Sequence, residues 1–403
     1  GASIGCRWFV TKGNRSVGIA APVAVESKLD MLRAQLPATA RTVYLNAGTN
    51  GPLPTAVHEA LVAAAQSELD RGRIGPGISE GNNEGLKRLR GTIAGIFGAD
   101  ADEIALMRST TEGLNVALFG LEWHRGDEVI TTNLEHSGLF APLGLLAHRH
   151  GVVVRTVDVG NGGGDVVSRL AEAWTRRTRA IAISHLQWSS GAVMPLRDLA
   201  EMARRLGIVT IVDAAQAAGQ IPVNLHDLGV DAYALSGQKW LCGPGGTGAL
   251  FVRRDCLGLI RPTYIRYGAF DPAGFVVPPA GAARYQMGEL YNPAMRGQEA
   301  GLRWLVDEVG LDWLFARIAS LGRRCWDGLT GIAGASVITP PERMAGIVCF
   351  NVDGWPAKAL ADAVVARGFT VRHVDQKPCP LTVRVSTGWW NSEDEVDAFV
   401  SAI

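Results

Sequence analysis

A lysine placed just after a predicted strand is the residue of this sequence best suited to covalent chemistry. Lys239 follows the strand that ends at Ser236, and it precedes the glycine-rich segment 243–248. A lysine at the carboxyl edge of an open α/β sheet points into the crevice where ligands bind. Desolvation there lowers the pKa of the ammonium group, as a Schiff-base lysine requires. The alternative, a surface lysine in a glycine-rich turn, stays open while this segment is taken alone.

Two polar residues follow the apolar segment 207–212, again at the end of a predicted strand. Asp213 comes directly after it and Gln216 three residues later. A carboxylate at this position can pair with a protonated pyridine nitrogen and keep the ring an electron sink. Gln216 can then donate a hydrogen bond to a ring oxygen from the same loop. Asp213 is also compatible with a simple helix N-cap.

Two further sites combine polar residues with the start of a predicted helix. The segment 108–113 (Arg-Ser-Thr-Thr-Glu-Gly) precedes the helical segment 114–120, and small hydroxyl residues at a helix N-terminus can cradle a phosphate. A capping box from Ser109 to Glu112 explains the same residues. His136 follows the strand segment 127–133, where it either stacks on a planar ligand or caps the next helix.

These sites need a sheet that brings strand ends together, and the middle of the chain predicts one. Apolar, β-branched segments that read as buried strands lie at 128–132, 152–157, 179–184, 208–212, 232–235 and 248–252. Amphipathic segments between them, such as 166–177 and 196–206, predict helices. Continuous apolar strands that alternate with helices indicate a parallel sheet covered on both faces, which is the α/β class.

The last third of the chain follows a different pattern. Apolar residues recur at helical spacing over 87–98 and again over 297–320. The segment 258–295, which is rich in Pro, Gly and Arg, is the expected connecting region. Beyond residue 325, strands are predicted at 336–338, 346–352, 371–373 and 383–386, and a final helix at 393–403. We therefore expect a second, smaller α+β domain.

Length and composition exclude several classes of protein. A chain of 403 residues, of which 47% are hydrophobic, predicts two or three globular domains. The 39 basic and 39 acidic residues balance, which argues against nucleic acid or an anionic membrane as the main partner. No apolar run is long enough to span a bilayer. The six scattered cysteines form no metal-binding or redox pair and residues 1–20 carry no secretory signal, so we expect a cytoplasmic protein without a metal.

Four candidate sites follow one another along the chain: the segment 108–113, His136, Asp213 with Gln216, and Lys239. In this order they resemble the class V aminotransferase family of pyridoxal-phosphate enzymes. That group includes cysteine desulfurases, isopenicillin-epimerase-like proteins and cysteine C–S lyases. The resemblance runs from the segment 44–52 (Tyr-Leu-Asn-Ala-Gly-Thr-Asn-Gly-Pro) to the end of the chain. The segments 120–127, 184–191 and 256–263 look most similar to the C–S lyases.

The resemblance implies an architecture as well as a cofactor. It implies the type I fold of pyridoxal-phosphate enzymes, an α/β fold with a mostly parallel central sheet in a large domain, 44–290, that binds pyridoxal 5'-phosphate. A smaller α+β domain would occupy 291–403, and an N-terminal segment, 1–43, would pack on it. It also implies a homodimer whose active sites lie at the subunit interface, with a small amino acid as substrate.

The family's roles fall on particular residues of this chain. Lys239 would form the Schiff base and move the α-proton, His136 would stack on the pyridine ring, and Asp213 would pair with the ring nitrogen. The other cofactor contacts would be Gln216 at the ring oxygen and, around the phosphate, Thr110, Thr111, Ser236 and Gln238, the last replacing a histidine of many desulfurases. On the substrate side, Arg384 would hold the α-carboxylate, with Asn46 and Trp188 beside it.

A cysteine loop bears on which reaction the family resemblance implies. Desulfurases carry a nucleophilic cysteine between two arginines of the C-terminal domain; here that loop, 372–384, is short, and Cys379 lies late in it. A passive thiol is therefore favoured over a persulfide-forming one.

The favoured function is a C–S β-lyase acting on cysteine, cystine or an S-conjugated cysteine, with a place in sulfur-containing natural-product (antibiotic) biosynthesis. Cysteine desulfurase, amino-acid epimerase, aminotransferase and decarboxylation-coupled oxidative deaminase of the same fold stay open. A non-catalytic binding protein conflicts with the presence of Lys239 together with Asp213 and His136. A nicotinamide-dependent oxidoreductase conflicts with the lack of a G-x-G-x-x-G after the first strand.

Overall fold

The computed structural model describes residues 27–403, and its strands fall into three sheets. In chain order the strands are β1 (Val43–Tyr44), β2 (Ile104–Met107), β3 (Glu128–Thr132), β4 (Val153–Val157), β5 (Thr178–Ser184), β6 (Val209–Asp213), β7 (Ala232–Ser236), β8 (Gly248–Val252), β9 (Ala335–Val337), β10 (Ile347–Val352), β11 (Phe369–Thr370), β12 (Arg372–His373) and β13 (Val383–Ser386).

Helices cover these sheets and link their strands. They are α1 (Lys28–Ala34), α2 (Thr55–Arg71), α3 (Ile78–Phe97), α4 (Thr110–Gly120), α5 (Ser137–His150), α6 (Val166–Glu172), α7 (Leu196–Leu206), α8 (Leu225–Leu228), α9 (Asn292–Trp304), α10 (Leu311–Thr330), α11 (Ala357–Val365) and α12 (Glu393–Ser401). No helix among residues 27–403 combines the length and the apolar character needed to cross a membrane.

A seven-stranded sheet forms the centre of the fold, in the order β2-β8-β7-β6-β5-β3-β4. β8 runs antiparallel to both of its neighbours, and the remaining strands share one direction. Every residue of β3, β6, β7 and β8 is buried, because helices lie on both faces and strands in this setting are apolar throughout. The predicted α/β fold with a mostly parallel central sheet is confirmed.

Because the parallel strands share one direction, their carboxyl ends meet at one edge of the sheet. β2 shares that direction, so the start of α4 lies at the same edge as the loops after β3, β5, β6 and β7. β4 lies on one side of β3 and β5 lies on the other, so the strand order reverses at β3. In open α/β sheets, ligands bind beyond the carboxyl ends of the strands at such a reversal.

Two predicted helical segments differ from the observed helices. The helix predicted over 166–177 ends at Glu172, since the next residues turn so that Thr175 donates to the buried Glu128 at 2.6 Å. The helical spacing over 297–320 covers two helices, α9 and α10. Gly310 separates them with a φ of 80°, a conformation that favours glycine over residues with a side chain.

The C-terminal part builds a four-stranded antiparallel sheet, β12-β13-β10-β9, against α10, α11 and α12. β1 pairs with β11 in parallel, and Arg33 of α1 forms an ion pair with Glu395 of α12 at 2.7 Å. α9, in contrast, packs on α2 and α3. The domain boundaries proposed from the sequence stay a prediction, and residues 1–26 of the predicted N-terminal segment lie outside the described residues.

Candidate active site

Lys239 lies in the loop after β7, where a second chain segment closes over it. The Gly51 amide donates to the carbonyl of Gln238 at 2.9 Å, and a Cβ on Gly51 would lie 2.2 Å from the carbonyl oxygen of Lys239. Burial, with a contribution from the charges of Arg384 and Arg372, lowers the pKa of Lys239 to about 8 against the attraction of Asp213. The side chain therefore has the lowered pKa that a Schiff-base lysine needs.

Asp213 ends β6 with its carboxylate buried. Its Oδ1 accepts from the backbone N–H of Ala215 at 2.9 Å, and no helix begins there, so it does not cap a helix. Burial raises its pKa, against the attraction of Lys239. Gln216 also lies within this group: it donates to the Gly48 carbonyl at 2.8 Å and accepts from Trp240 Nε1 at 3.0 Å, which leaves one amide N–H for another partner.

The first turn of α4 meets the end of β7. The Thr110 backbone N–H donates to Ser236 Oγ at 3.1 Å, and their two hydroxyls lie 2.6 Å apart. Ser109 is the N-cap, as the capping interpretation expects, but Glu112 accepts from Arg108. Thr111, one position further along the helix, is exposed. The start of α4 thus brings the hydroxyls of Thr110 and Ser236 and the positive end of the helix dipole together at the carboxyl edge of the sheet.

His136 lies at the end of the loop after β3 and is the N-cap of α5. Its Nδ1 accepts from the Gly138 N–H at 3.0 Å, so the neutral ring carries its proton on Nε2. Burial and the charges of Lys239, Arg372 and Arg384 lower its pKa to about 4. His136 therefore caps α5, as the alternative interpretation expects. Its ring also lies in the candidate site, edge-to-face with the Trp188 ring at a centroid distance of 4.8 Å.

Two arginines of the C-terminal sheet face the indole ring of Trp188. Arg372 of β12 pairs directly with Arg384 of β13, and both guanidinium groups lie over the Trp188 ring, 5.5 and 5.9 Å from its centroid. Arg384 Nη2 contacts Asn46 Oδ1 at 3.3 Å and Thr49 Oγ1 at 3.1 Å, and its buried Nε has no partner.

This arrangement leaves two positive charges uncompensated. Like charges directly opposite each other across a strand pair are destabilising, and within residues 27–403 no carboxylate forms an ion pair with either Arg372 or Arg384. Burial and the charge of Arg372 lower the pKa of Arg384 to about 10. A carboxylate ligand would supply the missing negative charge in the bidentate geometry that guanidinium favours.

Cys379 lies on the loop between the two arginines. Its thiol is buried against Trp188 and Val374 and donates to the carbonyl of Glu135 at 3.4 Å. Burial raises its pKa, so the thiol stays protonated near neutral pH, in contrast to nucleophilic cysteines, which lie in exposed, electropositive places.

Two charged residues of the site escaped the sequence reasoning. Arg372 was seen only as the start of the cysteine loop, because its pairing with Arg384 depends on a strand register that the sequence does not show. Glu135 was given no role beside His136, although a carboxylate in the loop after a predicted buried strand was a usable signal. Its side chain is fully buried.

The residues present fit pyridoxal phosphate on two observations. Asp213 is a buried carboxylate that, within the described part of the chain, has no ion pair. Lys239 has a lowered pKa. Together they offer an acceptor for a protonated ring nitrogen and an amine for an aldehyde.

Comparison with known proteins agrees with this geometry. The family model for class-V aminotransferases matches residues 43–399. A probable cysteine desulfurase 2 of Mycobacterium leprae is 30% identical over 408 residues, which cover 93% of this chain and 96% of the relative. A probable cysteine desulfurase of Methanothermobacter thermautotrophicus is 27% identical and covers 91% and 94% of the two chains.

Solved structures give the same result. The cystine C–S lyase C-DES in complex with its reaction product cysteine persulfide superposes with a TM-score of 0.86, 28% identity and coverage of 91% of this chain and 98% of that one. A mutant of C-DES with glycine covalently linked to its PLP cofactor superposes equally well, over 92% and 98%. The chain belongs to the class-V aminotransferase family, and it is a pyridoxal-phosphate enzyme similar to cysteine desulfurases and to a cystine C–S lyase.

Proposed function

We propose that the enzyme is a C–S β-lyase that cleaves cystine or an S-conjugated cysteine. The observation that carries this proposal is the buried Cys379 thiol, which donates to the Glu135 carbonyl and packs on Trp188. A desulfurase needs a cysteine thiolate that can reach the substrate sulfur. A thiol with a raised pKa in an apolar contact does not meet that need.

The proposed cofactor contacts follow from the positions of the side chains. Asp213 would hold the ring nitrogen and His136 would lie on the ring face. The hydroxyls of Thr110 and Ser236, with Thr111 and Gln238, would hold the phosphate at the start of α4, and Gln216 would offer its remaining N–H to the ring oxygen. When bound, pyridoxal phosphate supplies the electron sink that stabilises negative charge at Cα of the amino acid.

The reaction then depends on Lys239 as a base. Its pKa of about 8 gives a usable fraction of neutral amine at neutral pH. The amine takes the proton from Cα, the Cβ–S bond breaks, and the sulfur leaves with the bonding electron pair. The aminoacrylate that is released takes up water and yields pyruvate and ammonia, and the leaving group from cystine is cysteine persulfide.

The paired arginines support a substrate with two carboxylates. Arg384, held by Asn46 and Thr49, would bind the α-carboxylate. Arg372, which shares the Trp188 face, would bind a second carboxylate beyond the sulfur. Cystine and S-conjugates that end in a carboxylate have this shape, and cysteine does not.

Cysteine desulfurase is the second candidate, because the relatives described above carry that name. The experiment that separates the two compares the wild-type enzyme with Cys379→Ser on cystine and on cysteine. A β-lyase releases pyruvate at nearly the same rate from both proteins. Loss of cysteine turnover in Cys379→Ser, with alanine as the wild-type product, would support the desulfurase instead.

We also propose a homodimer. Large apolar side chains are exposed on one side of the molecule: Ile74 is 85% exposed, Tyr267 81% and Tyr291 61%. All three line a cavity of about 1100 Å³, and a second copy of the chain would cover them. The cytoplasmic location and the natural-product (antibiotic) pathway stay predictions.

A further inference from the structure

The carboxylate of Glu135 is fully buried and saturated with hydrogen bonds. Its Oε1 accepts from Thr132 Oγ1 at 2.6 Å and from Gln187 Nε2 at 2.9 Å. Its Oε2 accepts from the backbone N–H of Ser184 at 2.9 Å and from the Ser184 hydroxyl at 2.5 Å. Burial raises the pKa of Glu135 to about 7, against the hydrogen bonds from Ser184, Thr132 and Gln187. No cation among residues 27–403 forms an ion pair with it, so only neutral donors contact this carboxyl group.

These donors lie on two chain segments, 132–136 and 184–188, and each segment carries a group of the candidate site. Glu135 itself directly precedes His136. Ser184 ends β5 and lies opposite Asp213 in the β5–β6 register. Gln187 directly precedes Trp188, which packs edge-to-face on His136. One carboxylate thus joins the segment that holds the imidazole to the segment that holds the indole, and through β5 it lies beside the strand that ends in Asp213.

The backbone of Glu135 adds a further connection. Its carbonyl accepts from Cys379 Sγ at 3.4 Å and from Gln376 Nε2 at 3.4 Å. Gln376 Oε1 in turn accepts from the Ser137 N–H at 3.2 Å. The loop between the two arginines is therefore docked on the residues that flank His136.

We propose that Glu135 is a positioning residue for pyridoxal phosphate: it fixes His136, Asp213 and Trp188 relative to one another through Thr132, Ser184 and Gln187. A buried carboxylate without a cation is costly to keep. An apolar side chain would fill the space at lower cost. It would not offer the four acceptor positions of a carboxylate, so donors from the two chain segments would lose their common partner. The inference rests on the cofactor site and not on the β-lyase reaction.

Matched variants separate positioning from simple stability. Thr132→Val removes one donor to Glu135, and Thr131→Val removes the neighbouring buried hydroxyl, which has no hydrogen-bond partner. Glu135→Gln puts an amide N–H against two donors. Glu128→Gln alters a second fully buried carboxylate at the opposite end of β3, where it pairs with Arg155 and Arg177.

The experiment titrates each apoprotein with pyridoxal phosphate, records the visible circular dichroism of the bound cofactor, and measures thermal unfolding without cofactor. An amide N–H in place of one carboxylate oxygen leaves buried donors without an acceptor, which predicts a cofactor Kd about tenfold higher in Glu135→Gln, with a weaker or shifted dichroic band, and a smaller change in Thr132→Val. Thr131→Val and Glu128→Gln should keep the wild-type Kd and band.

The opposite pattern would overturn the proposal. If Glu135→Gln and Thr132→Val lose thermal stability but bind the cofactor with wild-type Kd and dichroism, Glu135 is structural only. If Glu135→Gln does not fold, the comparison of Thr132→Val with Thr131→Val decides, and equal values would overturn the proposal. No substrate is used, so failure of the β-lyase assignment leaves this result unaffected.

Discussion

Among individual residues, the site is dominated by positive charge. Lys239 lies within electrostatic reach of Arg372 and Arg384, and the nearest opposing charge is that of Asp213. Burial, together with these positive charges, lowers the pKa of Lys239 and keeps His136 neutral down to a pH of about 4. The excess of positive charge also predicts that a negatively charged substrate binds where the two guanidinium groups face Trp188.

The two arginines should differ in what they recognise. Arg384→Lys loses the planar fork that suits an α-carboxylate, so kcat/KM should fall about 10–100-fold for every amino-acid substrate. Arg372→Met should raise KM about tenfold for cystine, by loss of one charged hydrogen bond, and leave S-methylcysteine unchanged. Steady-state kinetics on the two substrates checks this, and an equal effect of Arg372→Met on both would contradict the second-carboxylate site.

The pH dependence of cofactor attachment should follow Lys239. The aldehyde reacts with the neutral amine, which predominates only above the pKa, so the rate of attachment to the apoprotein should rise with pH through a midpoint of about 8. Asp213 raises that pKa, so Asp213→Asn should move the midpoint to lower pH. Stopped-flow absorbance of the attached cofactor measures it; a midpoint near the ordinary lysine value of 10.5 would contradict the burial argument.

Among structural elements, the strand ends and the segment 46–51 place the site. The loops after β3, β5, β6 and β7 meet at one sheet edge, and the segment 46–51 crosses from β1 to touch the Lys239 loop, Gln216 and Arg384. Its approach is so close that Gly51 leaves no room for a Cβ.

Gly51→Ala should therefore damage both folding and cofactor binding. The added methyl forces the two backbones apart, and overpacking of this kind costs about 1–3 kcal/mol. Gly91→Ala in α3 is the matched control, since a Cβ there meets open space and alanine stabilises a helix interior by up to about 1 kcal/mol. Urea unfolding and cofactor titration of both variants test this; wild-type values in Gly51→Ala would show that the segment can move away.

How far the sequence predicts these elements depends on how local the signal is. Strands such as 248–252 and helices such as 196–206 are found at their predicted bounds, because continuous apolar runs and strong amphipathicity depend on neighbours in the chain. The end of α6 was missed, because the buried Glu128 recruits Thr175 from a distant segment. The Arg372–Arg384 pair was missed for the same reason, since strand register is a tertiary property.

For the whole molecule, the exposed apolar surface predicts self-association. Besides the residues around the large cavity, Phe275 is 71% and Val276 64% exposed in the segment between β8 and α9. A surface of this kind on a chain with no net charge favours association with a second copy.

The double variant Phe275→Ser and Tyr267→Ser should convert the proposed dimer to a monomer, because it removes two large apolar side chains from the surface that the second copy would cover. Light scattering after size exclusion reports the mass directly. Trp355→Ser is the control, an exposed aromatic residue outside that segment, and it should leave the mass unchanged. A wild-type mass equal to one chain of 42.8 kDa would contradict the proposed dimer.

We propose that this site eliminates sulfur from Cβ and does not transfer it to Cys379. The most direct test is to incubate the cofactor-loaded enzyme with carbon-labelled cystine or cysteine and to measure whether the label appears in pyruvate or in alanine. The geometry of Lys239 and of the buried Cys379 predicts label in pyruvate, in equal amounts with ammonia. Label in alanine, with sulfur retained on Cys379, would contradict it.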